Sequence, residues 1–341
     1  MKRIIICCDG TWNSADQTTD GIACPTNVAK IAQLVTPTAP DLAAIDDPTK
    51  VIHQVVYYHE GVGTGNQIDK IEGGAFGVGL SGDIEHCYRF LVNNYNDGDE
   101  LFIFGFSRGA YMARSLVGLL HNSGLLTKKH SDKFDLAYQI YKDRSEGTSS
   151  NAPIALTFRQ QFCWPNISIK FLGVWDTVGA LGVPDFILSK LLGNQWKFHD
   201  ISLSPIVLSA SHALAMDEKR EDFKPSPWDK PNDADFQQVW FAGVHSDIGG
   251  GYPETGLSDV SLHWMIGRAL GQGLNLDLTS VSIVPNPFSM LHDSKTGLFA
   301  LKPDYHRVID PSVMHASVQQ RIAKVGTHYT PVNLPANPTY I

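Results

Sequence analysis

The stretch "GFSRG" (105–109) places a serine between two glycines, directly after an apolar run. This Gly-x-Ser-x-Gly spacing is typical of a nucleophile elbow, where a strand turns sharply into a helix and exposes the serine hydroxyl. Glycines are required two positions on either side, because larger side chains would collide with the neighbouring backbone. Ser107 is therefore predicted to be a catalytic nucleophile; the alternative is an ordinary tight turn.

A serine hydroxyl needs a base to remove its proton, and that base needs an acid to orient it. His245 is the predicted base, because it follows the apolar run "VWFAGV" and precedes the glycine-rich turn "SDIGGGY". Asp176 is the predicted acid, since it ends the run "IKFLGVW". The order Ser, Asp, His along the chain is that of α/β-hydrolases. The sequence leaves open His315 as an alternative base and Asp247 as an alternative acid, most naturally paired with His315.

An oxyanion hole needs two N–H donors aimed at the developing negative charge. The backbone N–H of Arg108, the residue after the nucleophile, is the first predicted donor. The loop "CCDGTWN" is expected to supply the second donor around Gly10 and Thr11. Asp9 in the same loop is interpreted as structural, holding the loop through side-chain to backbone hydrogen bonds.

Alternating strand and helix patterns position these residues. Short apolar runs predict strands within 3–13, 51–65, 101–110, 169–182 and 239–252. Helical spacing of apolar residues predicts helices within 26–35, 80–95, 108–120 and 257–274. Such alternation predicts an α/β fold of the α/β-hydrolase type, with a mainly parallel sheet and helices on both faces. Active sites of these folds lie at the carboxyl ends of the strands.

The 341 residues are interpreted as a single domain, 1–341, with two insertions. Residues 121–165 and 183–236 have mixed polarity with several prolines and aromatics, and they are predicted to form a cap over the sheet edge. Residues 61–82 contain eight glycines, which indicate either a flexible loop or a backbone that approaches substrate closely.

Composition limits the partners and the compartment. A net charge of −8 without a basic tract argues against nucleic-acid binding. The five cysteines form no CxxC pair, so no disulfide framework is expected. The N-terminal apolar run ends at Asp9, too early for a signal peptide. We expect a cytoplasmic protein, with export by a route that needs no cleaved signal left open. Transient contact with a membrane surface is compatible with this composition, and nothing in the sequence indicates an oligomeric state.

Seven motifs together resemble a known family, the catalytic domain of type VI secretion phospholipase effectors. They are "CCDGTWN", "YYHEGVGT", "GFSRGAYMAR", "GVWDTVGALG", "ALAMDEKREDFKP", "WFAGVHSDIGGGY" and "LSDVSLHWMI". The resemblance runs from about residue 2 to about residue 334, and a wider set of bacterial and fungal α/β-hydrolases shares this domain. It implies a serine hydrolase acting on carboxylic esters, because the effectors cleave phospholipid acyl chains. Their triad maps by motif onto Ser107, Asp176 and His245.

Three functions are compatible with these residues. The first is a serine esterase, lipase or phospholipase that forms an acyl-enzyme with a small-molecule or lipid ester, without a metal or cofactor. The second is a metal-dependent hydrolase that uses Asp9, Asp176, His245 and Asp247 as ligands at the sheet edge. The third is an inactive interaction module on the same fold. The intact nucleophile, acid and base favour the first.

Overall fold

A central sheet of nine strands organises the chain in the computed structural model. The structure describes residues 1–11, 13–41, 44, 46–47, 49–61, 75–143, 145–179, 202–229, 235–310, 313–326 and 328–341. The strands are β1 Lys2–Cys8, β2 Thr18–Thr19, β3 Ile22–Ala23, β4 Thr38–Pro40, β5 Val51–His59, β6 Glu100–Phe106, β7 Ile169–Trp175, β8 Ser209–Ala215, β9 Asp235–Phe241, β10 Val313–Met314 and β11 Thr339–Tyr340. The helices are α1 Asn27–Leu34, α2 Ala75–Asn94, α3 Arg108–Ser123, α4 Phe134–Lys142, α5 Pro153–Phe162, α6 His245–Gly249, α7 Gly256–Gly271 and α8 Ala316–Ala323.

The strand order is β11-β10-β9-β8-β7-β6-β1-β5-β4. Every neighbouring pair is parallel except β4 and β5, which pair antiparallel at one edge. β2 and β3 form a separate antiparallel hairpin. The predicted α/β fold with a mainly parallel sheet is therefore confirmed. The carboxyl ends of the parallel strands share one edge of the sheet, where the predicted site residues follow β1, β6, β7 and β9.

Both faces of the sheet are buried, as a parallel sheet requires. Along β1, Ile4 and Ile6 pack into one core with α2 and α3, whereas Ile5 and Cys7 pack into the other core with α1 and α7. This alternation follows from the two-residue period of a strand. Because both faces are apolar, the run "RIIICC" reads as continuously hydrophobic and not as alternating. None of the described helices is long and apolar enough to cross a membrane.

The prediction of an insertion over 183–236 is wrong in its second half. Residues 209–215, "SASHALA", form β8, which lies inside the sheet between β7 and β9. Apart from Leu214 its side chains are small or polar, yet all seven residues are buried because the sheet encloses them on both faces. The run lacks the β-branched and aromatic residues that identify a buried strand in a sequence. Residues 183–201 and 230–234 of this predicted insertion lie outside the described residues.

The predicted cap over 121–165 also needs correction. Its helices α4 and α5 bury apolar faces against α3 as part of the core. The hydroxyl of Ser123 donates to the carbonyl of Ala137, and Arg159 donates to the carbonyl of Asn122. Ser123 is about 24 Å along the helix axis from Ser107, since a helix rises about 1.5 Å per residue. These contacts place the segment at the far end of α3, away from the strand ends. Within the glycine-rich stretch 61–82, residues 62–74 lie outside the described residues.

Candidate active site

Ser107 lies at the turn from β6 into α3, in a conformation that non-glycine residues rarely adopt. Its φ is 57° and its ψ is −122°. A Cβ atom on Gly105 would lie 2.6 Å from the carbonyl oxygen of Gly109, and one on Gly109 would lie 2.1 Å from that of Cys8. These obstacles are backbone atoms that cannot rotate away, so the turn requires glycine at both positions. The turn presents the Ser107 hydroxyl at the start of α3.

His245 begins α6, a few residues beyond the end of β9. Its Nε2 lies 2.8 Å from Oγ of Ser107. The imidazole is only 4% exposed, and its ring packs near the rings of Phe106 and Phe223, with centroids 4.6 and 4.9 Å away. This burial lowers the pKa of His245, while the hydrogen bond to Asp176 opposes the decrease. The ring is therefore neutral at neutral pH and able to accept a proton.

Asp176 follows β7 and orients the imidazole from the other side. Its Oδ2 accepts a 2.5 Å hydrogen bond from Nδ1 of His245, and its Oδ1 accepts one of 2.9 Å from the N–H of Ala215. With its proton on Nδ1, His245 has the lone pair of Nε2 facing the Ser107 hydroxyl. Asp176, like Ser107, has a positive φ, here 37°. The three predicted residues are thus in one hydrogen-bonded row at the carboxyl edge of the sheet.

Arg307 neutralises the buried charge of Asp176. Its Nη1 donates to Oδ1 over 2.6 Å and its Nη2 to Oδ2 over 3.0 Å, so the guanidinium grips both carboxylate oxygens. The same nitrogens donate to the carbonyls of Ala215 and Phe223. Burial alone would raise the pKa of Asp176, but the charge of Arg307 and the hydrogen bond from His245 outweigh it and hold that pKa well below 3.8. Asp176 is therefore ionised when His245 is neutral.

Glu218 is a second buried acid that supports the base. It accepts hydrogen bonds from the backbone N–H of His245 over 3.2 Å and from the Ser294 hydroxyl over 2.9 Å. Arg220 holds both its oxygens, over 2.8 and 2.9 Å. Burial raises the pKa of Glu218, yet the hydrogen bonds and charge of Arg220 outweigh this and lower it to about 2. Glu218 thus fixes the start of α6, where His245 lies.

The loop after β1 lies against Ser107. A Cβ atom on Gly10 would be 3.3 Å from Cβ of Ser107. The N–H of Gly10 donates to Oδ1 of Asp9 over 2.7 Å, so this group already has an acceptor. Thr11 Oγ1 is buried and has no hydrogen-bond partner among the described residues. Arg108 is the first residue of α3, whose N-terminal N–H groups point out of the helix. Thr11 and Arg108 are therefore better placed than Gly10 to supply oxyanion donors.

Asp9 holds this loop in place, as the sequence suggested. Its Oδ2 accepts from the hydroxyls of Thr26 and Tyr58, each over 2.6 Å. Burial raises the pKa of Asp9 to about 6, although these hydrogen bonds oppose the increase. Its carboxylate oxygens are occupied by this role in the loop.

The alternative pairing of Asp247 with His315 is wrong. Asp247 accepts from Nδ1 of His292 over 2.6 Å. His315 is the N-cap of α8, where its Nδ1 accepts from the N–H of Ser317 over 3.2 Å. The His315 ring stacks on Phe241, with centroids 4.8 Å apart, and burial lowers the pKa of His315 to about 4. Both residues have structural partners, and neither is bonded to Ser107 through any contact that the structure describes.

The ligand set of the metal-dependent alternative is not assembled in the described residues. Asp9, Asp176, His245 and Asp247 do not form a group whose ligand atoms all lie within 4.8 Å of one another. Asp176 is engaged by Arg307 and Asp247 by His292, so the carboxylates face different partners.

Sequence reasoning missed Arg307, Glu218 and His292. Glu218 and His292 lie in loops, and Arg307 lies in a stretch without regular secondary structure before β10. None of them follows a strand-like run or a glycine-rich turn. Their contacts with Asp176, His245 and Asp247 join positions between 27 and 131 residues apart. Glu218 lies in the motif "ALAMDEKREDFKP", which marked the region, but nothing in the local sequence indicated the role of any of the three.

The chain is similar to several known proteins. The family model "T6SS, Phospholipase effector Tle1-like, catalytic domain" matches residues 2–268, a range that ends before the expected residue 334. The uncharacterized protein YEL023C of Saccharomyces cerevisiae is 27% identical over 243 residues, which are 65% of this chain and 32% of that protein.

Two solved structures are similar to this chain over part of their length. An uncharacterized protein from Pseudomonas aeruginosa has a TM-score of 0.45 and 20% identity, with 81% of this chain and 46% of that chain covered. The Tle1 effector bound to the VgrG spike of the type 6 secretion system has a TM-score of 0.39 and 19% identity, with coverage of 73% and 51%. The chain spans about a third of the yeast protein's length and about half of each solved chain. Because the family model covers most of the chain, the protein belongs to the family of Tle1-like type VI secretion phospholipase effectors, through their catalytic domain.

Proposed function

We propose that this protein is a serine hydrolase that cleaves the carboxylic ester bonds of lipids through an acyl-enzyme intermediate. The observation that carries the proposal is the continuous row of hydrogen bonds from Ser107 Oγ through His245 to Asp176, with lengths of 2.8 and 2.5 Å. A nucleophile, a base and an orienting acid in this arrangement are the requirements of acyl transfer. The strained turn at Ser107 then acts as a nucleophile elbow.

The reaction begins when Oγ of Ser107 attacks the ester carbonyl and its proton passes to Nε2 of His245. The ionised Asp176 stabilises the imidazolium that forms. The N–H of Arg108 and the hydroxyl of Thr11 donate to the oxyanion, and each such donor contributes about 2.7–4 kcal/mol to the stability of the transition state. His245 next gives its proton to the leaving alcohol, whose departure forms the acyl-enzyme. A water molecule then attacks the acyl group while His245 takes its proton. His245 returns that proton to Oγ of Ser107 as the acyl–Oγ bond breaks, which releases the fatty acid and regenerates the enzyme.

We infer that the substrate is a phospholipid, cleaved at an acyl ester. The support is family membership, since the matching domain is that of phospholipase effectors. Cleavage of a phospholipid within a membrane requires at least transient contact between the protein and the lipid surface. The choice of acyl position and headgroup is left to experiment.

The test compares wild type with Ser107→Ala on p-nitrophenyl esters of increasing chain length and on phospholipid vesicles. We expect Ser107→Ala to lower kcat/KM on every cleaved ester by about 10⁴-fold or more, because the nucleophile is lost. Ser115→Ala, which removes a buried hydroxyl further along α3, is the matched control and should keep activity. If Ser107→Ala and Ser115→Ala unfold at the same temperature, the loss of activity in Ser107→Ala is due to the missing nucleophile and not to unfolding. Undiminished hydrolysis by a folded Ser107→Ala variant would refute the proposal, whereas ester hydrolysis without fatty-acid release from vesicles would refute only the phospholipid substrate.

A further inference from the structure

A cluster of two histidines and one aspartate lies apart from the Ser107 row. His59 is the last residue of β5, and Asp83 and His86 are three residues apart on α2, which places them on one face of that helix. One ligand atom from each residue can be chosen so that all three atoms lie within 4.8 Å of one another. The imidazole rings of His59 and His86 stack at 28°, with centroids 6.0 Å apart. The strand and the helix thus bring together two histidines and one carboxylate that could act as metal ligands.

We propose that His59, Asp83 and His86 bind a divalent transition-metal ion of the Zn²⁺ class. Two imidazoles and one carboxylate suit such an ion, whereas Ca²⁺ and Mg²⁺ prefer all-oxygen sites. Three protein ligands leave a fourth position for water or for an anionic ligand.

The hydrogen bonding of His59 prepares its ring for a cation. Its Nδ1 lies 2.7 Å from the carbonyl oxygen of Glu60, which can only accept, so Nδ1 carries the proton. In the neutral ring, Nε2 then has a lone pair, and this atom lies 3.4 Å from Oδ1 of Asp83. Two acceptors facing each other need a positive centre between them, either a proton on Nε2 or a bound cation. An N–H donating to a backbone carbonyl is the usual outer support of a metal-binding histidine.

The spacing of these atoms fits a metal ion between them. Ligands at about 2.0–2.2 Å in a tetrahedral site are about 3.3–3.5 Å apart, which matches the separation of 3.4 Å between His59 and Asp83. His86 is exposed, so its ring can adjust to complete the set.

One oxygen of the Asp83 carboxylate lacks the partner that a structural role would provide. Its Oδ2 is buried and has no hydrogen-bond partner among the described residues. A buried carboxylate without a donor is costly, and a bound cation would remove that cost.

The position of the cluster suggests what the ion does. The carbonyl of His59 accepts the N–H of Asp9 over 3.0 Å, and the N–H of Gly61 donates to the carbonyl of Asn13 over 3.0 Å. A Cβ atom on Gly61 would overlap the carbonyl of Gly10, so these two chain segments are in direct backbone contact. An ion that joins β5 to α2 would therefore fix the segment on which the loop beside Ser107 rests. The ion is a positioning element and takes no part in the reaction.

The test is metal uptake by the whole chain after treatment with a chelator and removal of the chelator by dialysis. Titration with Zn²⁺ alone, followed by calorimetry, should show one equivalent bound and a higher unfolding temperature. Titration with Co²⁺ should give the visible absorption of a low-coordinate site. Asp83→Asn and His86→Gln should each weaken Zn²⁺ binding by about 100-fold or more. Loss of a residue that only supports a metal ligand already costs about 10–100-fold, and loss of a ligand itself should cost more.

His53→Gln is the matched control, because His53 is an exposed histidine on the same strand as His59. This variant should bind Zn²⁺ as wild type does. Because His86 is exposed, His86→Gln should fold even if Asp83→Asn does not. Absence of stoichiometric uptake, or uptake that is undiminished in a folded His86→Gln variant, would overturn the proposal. None of these readouts depends on ester hydrolysis.

Discussion

Asp176 and Arg307 decide the electrostatics of the site at the scale of single residues. Both are fully or almost fully buried, and two hydrogen bonds join them. Breaking such a buried pair from one side costs about 3–5 kcal/mol, because the other charge is left without compensation. The pair also sets the proton affinity of the adjacent base, since His245 shares its Nδ1 proton with Asp176. Arg307 is therefore a positioning residue that acts on the reaction through Asp176.

The activity should depend on pH through the protonation of His245. A protonated His245 cannot accept the Ser107 proton, so activity should decrease as pH falls through the pKa of His245. Burial lowers that pKa from its ordinary value of 6.5. The acidic limb of the kcat/KM profile should thus have its midpoint below pH 6.5 for a soluble ester. A midpoint at or above 6.5 would show that the buried imidazole is more basic than this account allows.

Removal of Arg307 should shift this limb. In Arg307→Met, the loss of a positive charge raises the proton affinity of Asp176 and His245 together, so the midpoint should rise. Arg307→Lys keeps the positive charge but loses the bidentate hydrogen bonding to Asp176, so it should restore part of the wild-type pH profile. Arg268→Met, which removes a guanidinium that pairs with Asp235 at the opposite end of the strands, serves as the control. Loss of activity without any shift of the limb would indicate a purely structural role for Arg307.

At the scale of elements, the turn between β6 and α3 is the most constrained feature. Gly109 packs its Cα against the end of β1, since an added Cβ would lie 2.1 and 2.4 Å from the carbonyl oxygens of Cys8 and Asp9. The turn therefore fixes both the Ser107 conformation and the distance between β1 and α3.

Two glycine substitutions should have opposite effects on stability. Gly109→Ala should destabilise the fold by several kcal/mol, because backbone atoms block the new methyl group. Gly267→Ala on α7, where nothing lies within 4 Å, should stabilise it by about 0.5–1 kcal/mol through helix propensity. Urea unfolding of both variants is the measurement. Equal stability of Gly109→Ala and wild type would mean that the close approach of β1 and α3 is not required.

Many of the strands and helices could be predicted from the sequence. β1, β6 and α3 have strong local patterns, and the glycines around Ser107 indicate the turn between them. β8 could not be predicted, because "SASHALA" owes its burial to neighbouring strands and not to its own hydrophobicity. For the site, Ser107, Asp176 and His245 each follow a strand-like run and could be proposed. Arg307 and Glu218 are brought to the site only by the tertiary fold, so their roles could not be predicted from the sequence.

At the scale of the whole molecule, the sheet encloses a titratable group that joins β8 to β9 and to the segment that follows β7. His212 on β8 is fully buried. Its Nε2 accepts from the N–H of Thr177 over 3.2 Å, and its Nδ1 donates to Oε1 of Gln238 over 3.1 Å. Burial and the charge of Arg114 lower the pKa of His212 to about 3. The folded state therefore holds His212 neutral over a range in which the unfolded chain takes up a proton.

This difference should make acid conditions destabilising. Between pH 6.5, the ordinary value, and about 3, the unfolded state binds one proton more than the folded state at this residue. Its contribution to stability should thus fall by up to about 1.4 kcal/mol per pH unit as the pH decreases. The difference in unfolding free energy between wild type and His212→Gln should shrink toward acid pH, whereas the exposed His53→Gln control should follow wild type. Parallel pH profiles for wild type and His212→Gln would contradict this assignment.

The most direct test of the central claim is to locate a fluorophosphonate adduct by mass spectrometry of peptides. We expect one adduct per chain, on Ser107, because the His245–Asp176 pair activates its hydroxyl. Labelling should be slower by at least about 10²-fold in His245→Gln, which lacks the base. An adduct on another residue, or ester hydrolysis by a protein that takes up no label at Ser107, would contradict the account.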